Sequence, residues 1–583
     1  MCEELTLKNF TTQRGTFLNP DTDPTPMLTP SKGWFNPGSR RVKLPTRVFT
    51  RRFVRMARNY EDAIAALNSL QSNFAIVNAI RQAGPNMNLR AIPEMIKWCQ
   101  KIGYQPSELN RLNLIHIAGT KGKGSTCAFI SSILSQYLPS ASVSPRLADS
   151  QRPRISKVGL YTSPHLRFIR ERIQINNEPI SEQQFANYFF EIWDRLEASA
   201  KAGGMDPADP VSKPSYFRYL TLMAFHAYMC EGVDAAIIEC GIGGEYDSTN
   251  VIDKPVVTGI TSLGIDHQST LGNTIEEIAW HKAGIMKEGV PAFTAPQIEK
   301  ARAVLEKRAV EKGAELHVAT GYPELTPNNQ AALRLGLSGE FQYTNASLAV
   351  AVAGFFLRSR GFQDIPTNLN SLPLPDKFKR GLKTTKLGGR CEMRLEKNIA
   401  WFIDGAHTLE SIEATGKWFV SQQPRATESP ASPLSSSSTN PIPRILIFNQ
   451  QTRDSVGLAR ALHNTLSLSS ANLTFTHAIF CTNVTYKQSG YRPDLVSLNT
   501  SASDVETLKV QRALAQAWKE LSPSTEVLAK ATIEEAVDVV REIGKAREQD
   551  CEGVREATIS ALVTGSLHLV GGLLEVLETT SSN

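Results

Sequence analysis

No run of about 18 apolar residues occurs anywhere in the 583-residue chain, so nothing in it reads as a helix able to span a membrane. The N-terminus lacks the apolar core of a secretory signal, which argues against export. Cys-x-x-Cys pairs are missing as well. The eight cysteines (Cys2, Cys99, Cys127, Cys230, Cys240, Cys391, Cys481 and Cys551) are scattered, with no nearby histidine at zinc spacing. They read as buried or free thiols in a reducing compartment.

A basic body is also lacking. Residues 1–58 hold eleven Lys and Arg against four Asp and Glu, more than the whole net charge of +6, and the rest of the chain is close to neutral. A nucleic-acid surface has to neutralise several phosphates, so the body gives no support to nucleic-acid binding. No stable protein partner is inferred, and a monomer is expected.

What is there is enough apolar material, 41% of the residues, for two cores. Apolar residues at helical spacing mark 60–70, 74–81 and 92–102. Short apolar runs then alternate with longer helical segments, at 112–118, 158–162, 235–240, 256–261 and 291–295. That alternation predicts a parallel sheet in an α/β domain. A second series, at 400–403, 445–448, 477–481, 526–529 and 560–564, predicts a smaller α/β domain. The stretch 373–389, rich in Pro, Lys and Gly, reads as a linker, which sets the domains at 59–386 and 387–583. Two low-complexity inserts, 139–157 and 422–443, read as surface loops.

The first apolar run leads straight into Gly119-Thr120-Lys121-Gly122-Lys123-Gly124-Ser125 and a helical segment, 126–138. Strand, glycine loop and helix together let backbone N–H groups and the helix N-terminus face one anion, with Lys123 neutralising phosphate oxygens. The loop departs from G-x-x-x-x-G-K-[ST], because Gly124 separates the lysine from Ser125. Glu239 ends the run 235–240 and precedes Gly241, Gly243 and Gly244, so a carboxylate emerges beside the loop where backbone can approach closely. It suits Mg²⁺.

Further segments follow in order: Thr162-Ser163-Pro164-His165-Leu166, Glu171-Arg172-Ile173, Glu239-Cys240-Gly241-Ile242-Gly243-Gly244, Asp266-His267, His281-Lys282-Ala283-Gly284-Ile285, Gly389-Arg390, Asp404-Gly405-Ala406-His407 and Thr564-Gly565-Ser566-Leu567-His568. With the G-T-x-G-K-G-S loop, this series resembles the folylpolyglutamate synthase branch of the Mur ligase superfamily, from about residue 60 to the C-terminus. The resemblance implies a phosphate-loop ATPase domain with a parallel sheet, followed by a smaller Rossmann-like α/β domain. It implies ATP-dependent addition of L-glutamate to the γ-carboxylate of a folate through an acyl phosphate.

Carried over position by position, the resemblance places ATP on Gly119 to Ser125 (Gly119, Thr120, Lys121, Gly122, Lys123, Gly124, Ser125), Asn345, Arg390 and Asp404. It places Mg²⁺ on Ser163, Glu239 and His267, with a monovalent cation such as K⁺ as a second ion. Folate and glutamate fall to Ser163, Pro164, His165, Arg172, His407 and Ser566, and the catalytic set is Lys123, Lys282, Asp404 and His407. It further implies that Lys282 is carbamylated, a cation turned into a carboxylate-like group; His281 stands where many relatives have Glu.

Two rival readings share the phosphate loop. A dihydrofolate synthase, or an enzyme doing both jobs, would use the same loop and metals. A non-ligating P-loop ATPase would leave the T-S-P-H, D-G-A-H and T-G-S-L-H segments unexplained. The leader reads as disordered or as a transit peptide. Between Pro24 and Tyr60 there are nine Lys and Arg and no Asp or Glu, so Met27 and Met56 suggest alternative starts for a mitochondrial and a cytoplasmic form.

Overall fold

The computed structural model describes residues 58–71, 90–139, 155–327, 329, 332–370, 373–423, 442–451, 453–469, 472–487, 507–550 and 559–581. The leader with Met27, the helix expected at 74–81 and most of both inserts lie outside the described residues. The flanks of the inserts are inside them. Ile155 is buried, and the Asp234 carboxylate accepts the N–H groups of Ser156 and Lys157, so the first insert is tied down by its last three residues.

The first sheet comprises β1 (Ile115–Ala118), β2 (Val158–Tyr161), β3 (Ile173–Ile175), β4 (Glu178–Pro179), β5 (Ala235–Glu239), β6 (Val257–Ile260), β7 (Ala292–Thr294) and β8 (Leu316–Val318), in the order 4-3-2-5-1-6-7-8. Its central strands β2, β5, β1 and β6 run parallel. Because strand side chains alternate, Ile115, Ile117 and Ile237 enter one core layer while Ala236 and Ile238 enter the other. Both faces are covered, as continuous apolar runs require. The sequence placed the first strand three residues too early, since 106–112 is a 3-10 helix, Pro106–Leu112.

The helices around it are α1 (Tyr60–Ser69), α2 (Ala91–Lys101), α3 (Lys123–Ser135), α4 (Glu182–Ala202), α5 (Tyr216–Glu231), α6 (Gln268–Leu271), α7 (Ile275–Ala283), α8 (Glu299–Lys312), α9 (Phe341–Ser359) and α10 (Asp376–Thr384). Local signals start several of them: Asn59 with Asp62, Ser181 with Gln184 and Thr274 with Glu277 form capping boxes for α1, α4 and α7. The stretch expected to be a linker is instead α10, whose Phe378 and Leu382 are buried against the core that holds α3 and α9. Gly381 is required there, because a Cβ would stand 2.7 Å from the Ile133 Cα.

The second sheet has β9 (Glu392–Glu396), β10 (Ile399–Ile403), β11 (Arg444–Phe448), β12 (His477–Cys481), β13 (Glu526–Lys530) and β14 (Ile559–Thr564), in the order 13-12-11-14-10-9. All pairs are parallel except β9 with β10. Along β10, Ala400 and Phe402 face one layer and Ile399, Trp401 and Ile403 the other. The layers are built by α11 (Leu409–Ser421), α12 (Ser455–Ser467), α13 (Lys509–Leu521), α14 (Ile533–Asp550) and α15 (Leu567–Ser581).

Candidate active site

Parallel strands deliver their C-terminal ends to one edge of a sheet, and ligands bind there. On the first sheet that edge presents Ser163 after β2, Glu239 at the end of β5, the glycine loop after β1 and Thr261 to His267 after β6, on four neighbouring strands. On the second it presents Asp404 after β10 and Gly565 after β14. Both edges border one cleft of about 1120 Å³.

The loop's shape is written in its glycines. Gly119 and Gly122 have φ of +143° and +88°, and a Cβ would lie 1.9 Å from Thr261 Oγ1 and 2.0 Å from Asn345 Oδ1 respectively. The amides of Thr120 and Lys121 donate to the Ser262 carbonyl at 3.1 and 3.0 Å, anchoring the loop to the neighbouring strand end. α3 begins at Lys123, so its first-turn amides have no partner within the helix. Gln342 donates to Ser125 Oγ at 3.3 Å and accepts from Asn345 at 2.9 Å, fixing Asn345 against the loop.

Glu239 is 3% exposed, and burial pushes its carboxyl up, opposed by Lys123, the Ser163 N–H and Arg390. One oxygen accepts that N–H at 2.9 Å. Gly124 leaves 3.7 Å between its own would-be Cβ and the carboxylate, so no side chain separates Glu239 from the loop. Asp266 is opposed by burial but held well below the usual carboxylate range by Lys121, His267 and Arg453. Its oxygens pair with Lys121 Nζ at 3.0 Å and, across the cleft, with Arg453 at 3.2 Å. His267 sits in the left-handed region, φ +53°, beside Asp266. Lys282 is buried, is pushed down to about 7 by burial and then by Lys123, and has no hydrogen-bond partner among the described residues.

On the opposite wall the Asp404 carboxylate accepts from Cys391 N (2.8 Å), Ala406 N (2.9 Å) and Thr415 Oγ1 (2.8 Å). It therefore shapes the turns that carry Arg390 and His407. Burial lowers His407 to about 4. Its Nδ1–H donates to the Gly405 carbonyl at 2.9 Å, which leaves a neutral ring with a free lone pair on Nε2.

The cleft brings together Thr120 to Ser125, Ser163, Pro164, His165, Arg172, Glu239, His267, Asn345, Arg390, Asp404 and His407. Three expected residues are not on its lining: Gly119 bends the loop from behind, Lys282 lies beneath the surface, and the Ser566 hydroxyl accepts from His568 N at 3.2 Å as the cap of α15. Residues missed by sequence reading are Arg453, Asp247 and Phe217. Asp247, buried, accepts the Ile242 and Thr249 amides and so holds the glycine turn after β5. Phe217 lies 2.5 Å from where a Gly241 Cβ would stand. Arg453 follows β11 at the same sheet edge as Asp404, the position that would have flagged it.

Cys230 also has a histidine one helical turn away, contrary to expectation. His226, Glu191 and Cys230 offer ligand atoms within 4.8 Å of one another. Both His226 ring nitrogens are already engaged, by Tyr104 at 2.8 Å and Glu191 at 2.7 Å, which is the pattern of a satisfied core histidine.

The folylpolyglutamate synthase of Neurospora crassa is 44% identical over 533 residues, covering 91% of this chain and 94% of that one. A probable folylpolyglutamate synthase of Schizosaccharomyces pombe is 45% identical over 551 residues, covering 94% and 98%. The chain belongs to the folylpolyglutamate synthase family. The family's enzyme from Saccharomyces cerevisiae is 43% identical over 527 residues, 90% of this chain and 88% of that one. No protein-family model matches. Two solved folylpolyglutamate synthases share the fold. That of Mycobacterium tuberculosis, complexed with ADP and AMPPCP, has a TM-score of 0.58 at 23% identity, covering 88% and 99%. That of Thermotoga maritima has 0.57 at 24% identity, covering 90% and 98%.

Proposed function

We propose that this chain joins L-glutamate to the γ-carboxylate of a folate at the expense of ATP, lengthening a polyglutamate tail. The observation that carries the reading is one cleft holding a phosphate loop, a buried carboxylate beside it and, on the facing wall, Arg390 and a neutral histidine. A solved complex of a family member contains AMPPCP and folate together.

A carboxylate is inert to amines until its oxygen becomes a leaving group. Transfer of the γ-phosphoryl of ATP to a carboxylate oxygen releases ADP and gives an acyl phosphate; the glutamate amine then attacks the carbonyl carbon, and phosphate leaves. Such transfers need positioning and charge neutralisation more than covalent help. The α3 amides and Lys123 hold the phosphates, Asn345 braces the loop, and Arg390 adds charge from the other domain. His407 Nε2, left with a free lone pair, accepts a hydrogen bond from the incoming ammonium and so orients it; lowered to about 4, the ring is too weak a base to be the amine's proton acceptor.

Mg²⁺ fits the donor set: Glu239 is a buried carboxylate with one oxygen tied to Ser163 and its charge facing the loop, with the Ser163 hydroxyl and His267 as further ligands. When bound, the ion supplies charge neutralisation at the phosphates. A monovalent ion such as K⁺ near His267 belongs to the same reading. Lys282 fits carbamylation, because an amine lowered to about 7 and without a hydrogen-bond partner among the described residues has a substantial neutral fraction near neutral pH, and the neutral amine is the form that attacks CO₂. His165, bonded to Arg172 Nε at 3.0 Å, and Pro164 line the folate side.

The test is to incubate the chain from Met56 with ATP, Mg²⁺, glutamate and either tetrahydrofolate or dihydropteroate. Successive glutamyl additions to tetrahydrofolate by mass spectrometry are expected; addition to dihydropteroate alone would favour the dihydrofolate synthase reading, and ATP hydrolysis without any ligation would favour the ATPase. For location, we propose a mitochondrial form from Met27 and a cytoplasmic form from Met56, supported by the charge pattern of the leader. A reporter fused to residues 27–60 that stays cytoplasmic would end that reading.

A further inference from the structure

The turn Thr162 to Leu166 is held from two sides. From its own domain, the Glu171 carboxylate accepts the amides of Leu166, Arg167 and Phe168 at 2.8, 3.2 and 3.1 Å. From the other domain it is plugged into a socket of glycines. A Cβ on Gly388 would lie 2.9 Å and one on Gly389 3.2 Å from the Leu166 side chain, and one on Gly571 of α15 would lie 2.1 Å from the Leu166 carbonyl oxygen.

Beside the socket, Arg167 reaches across the cleft to α15. Its two terminal nitrogens pair with Glu578 Oε2 at 2.5 Å and Glu575 Oε2 at 2.6 Å. Arg394, from β9, takes the second Glu578 oxygen at 3.1 Å. The Arg167 side chain is 16% exposed and that of Glu575 4%, so at least one of these pairs is shielded from water, where charge-assisted hydrogen bonds are strongest. Such a fork costs side-chain freedom and has no part in either domain's own core.

We propose that Arg167 is a positioning residue: by clamping the Ser163–Leu166 turn to α15 it aligns the folate and metal side of the cleft with the wall that carries Arg390 and His407. The inference rests on the ligase reading for its kinetic consequence. Ser163 lies four residues from Arg167 and its amide donates to Glu239, so a loosened turn misplaces both the folate contacts and the carboxylate. The phosphate loop, anchored to Ser262 rather than to α15, is left alone.

The experiment compares full-length protein with Arg167→Met, Arg167→Lys and Glu575→Gln. Arg167→Met and Glu575→Gln are expected to lower kcat/KM for folate roughly tenfold, through a higher KM for folate and a higher Mg²⁺ requirement, with affinity for a non-hydrolysable ATP analogue unchanged. Arg167→Lys, which keeps one charged contact, recovers part of the loss. Hydrogen–deuterium exchange supplies a readout that does not need turnover: segments 162–172 and 566–578 should lose protection together in Arg167→Met. Wild-type folate KM and Mg²⁺ dependence with only a lower Tm, or faster exchange confined to 162–172, overturns the clamp. If the unsubstituted chain ligates nothing, the functional reading fails, and paired or unpaired exchange still decides the clamp.

Discussion

The two walls of the cleft use their polar groups differently. On the first-domain wall, glycines set the backbone and the charges are left facing the cavity: Lys123 has only a 3.5 Å contact to the Thr120 carbonyl, and Glu239 accepts one amide. On the second-domain wall Arg390 and His407 Nε2 face the cavity, but the other polar atoms are mostly spent internally. Asp404 accepts from three donors of its own domain, His407 Nδ1 is fixed on Gly405, and Ser566 caps α15. The first wall leaves Lys123 and Glu239 facing the cavity, and the second spends most of its hydrogen bonds on the turns that carry Arg390 and His407.

That contrast predicts which substitutions cost activity and which cost stability. Lys123→Ala removes a cation whose only hydrogen bond among the described residues is the 3.5 Å contact to Thr120, and whose charge otherwise favours the ionised form of Glu239, which can take up a proton in its absence. Ligation should fall by about 10²–10³-fold or more, in line with the loss of a charge aimed at a transferring phosphoryl group. Tm should stay within a few degrees of wild type. Initial rates and a thermal melt on the same sample check both halves, and near-normal turnover in a folded variant would remove the loop from the mechanism.

Asp404→Asn is the converse. The new amide NH₂ would face one of the groups that now donate to the carboxylate, leaving a buried donor against a donor, at a cost of about 1–3 kcal/mol. Urea unfolding should show the loss. Activity should drop too, because the Arg390–Cys391 turn and the Gly405–His407 turn share this one acceptor. A variant as stable as wild type, with weakened ATP binding as its only defect, would mean that Asp404 serves the nucleotide directly.

The same contrast explains what the sequence disclosed. The phosphate loop was legible because its function is backbone conformation, and conformation is spelled in glycine spacing: Gly119 and Gly122 sit where φ is positive. Long apolar strands such as β10 and β14 were legible for a similar reason, since two-sided burial leaves a continuous run. α10 was not, because its nine residues offer few apolar positions and include Gly381, present for a close approach to α3 that only the packed fold reveals. Strands β3, β4 and β8, of two or three residues each, are too short to carry a pattern, and β9, at the edge of the second sheet, has no buried residue and so no apolar run. The Arg453–Asp266 bridge joins residues 187 apart, and nothing local announces it.

A smaller effect concerns Lys282, the buried charge between the walls' extremes. Burial, then Lys123, lowers it to about 7, while Cys240, Asp247 and Asp266 pull the other way. In protein freed of CO₂, so that Lys282 is an unmodified amine, the unfolded chain holds a proton that the folded chain lacks between pH 7 and the ordinary lysine value of about 10.4, so stability should rise with pH across that window. Below about pH 7 both states are protonated and the full penalty of a buried cation is present. Lys282→Met should flatten this slope and be relatively more stable at pH 6.5 than at pH 9. Parallel pH profiles of unfolding free energy for the two proteins would contradict the lowered value.

The smallest expected effect falls on Ser566, where the two uses of a polar atom can be separated most cleanly. Its hydroxyl accepts from His568 N at 3.2 Å and lies near Leu569 N at 3.5 Å, at the start of a helix whose Leu567 and Leu574 do reach the cleft. As a cap it is worth about 1 kcal/mol, so Ser566→Ala should lower Tm slightly. The KM for glutamate should stay within twofold, because the hydroxyl does not line the cavity. Ser566→Asp, which keeps an acceptor and adds a charge suited to a helix N-terminus, should recover the stability. A carboxylate there would repel glutamate if the side chain did reach it, so an Asp variant with restored Tm but a strongly raised glutamate KM would move Ser566 from the scaffold into the binding site.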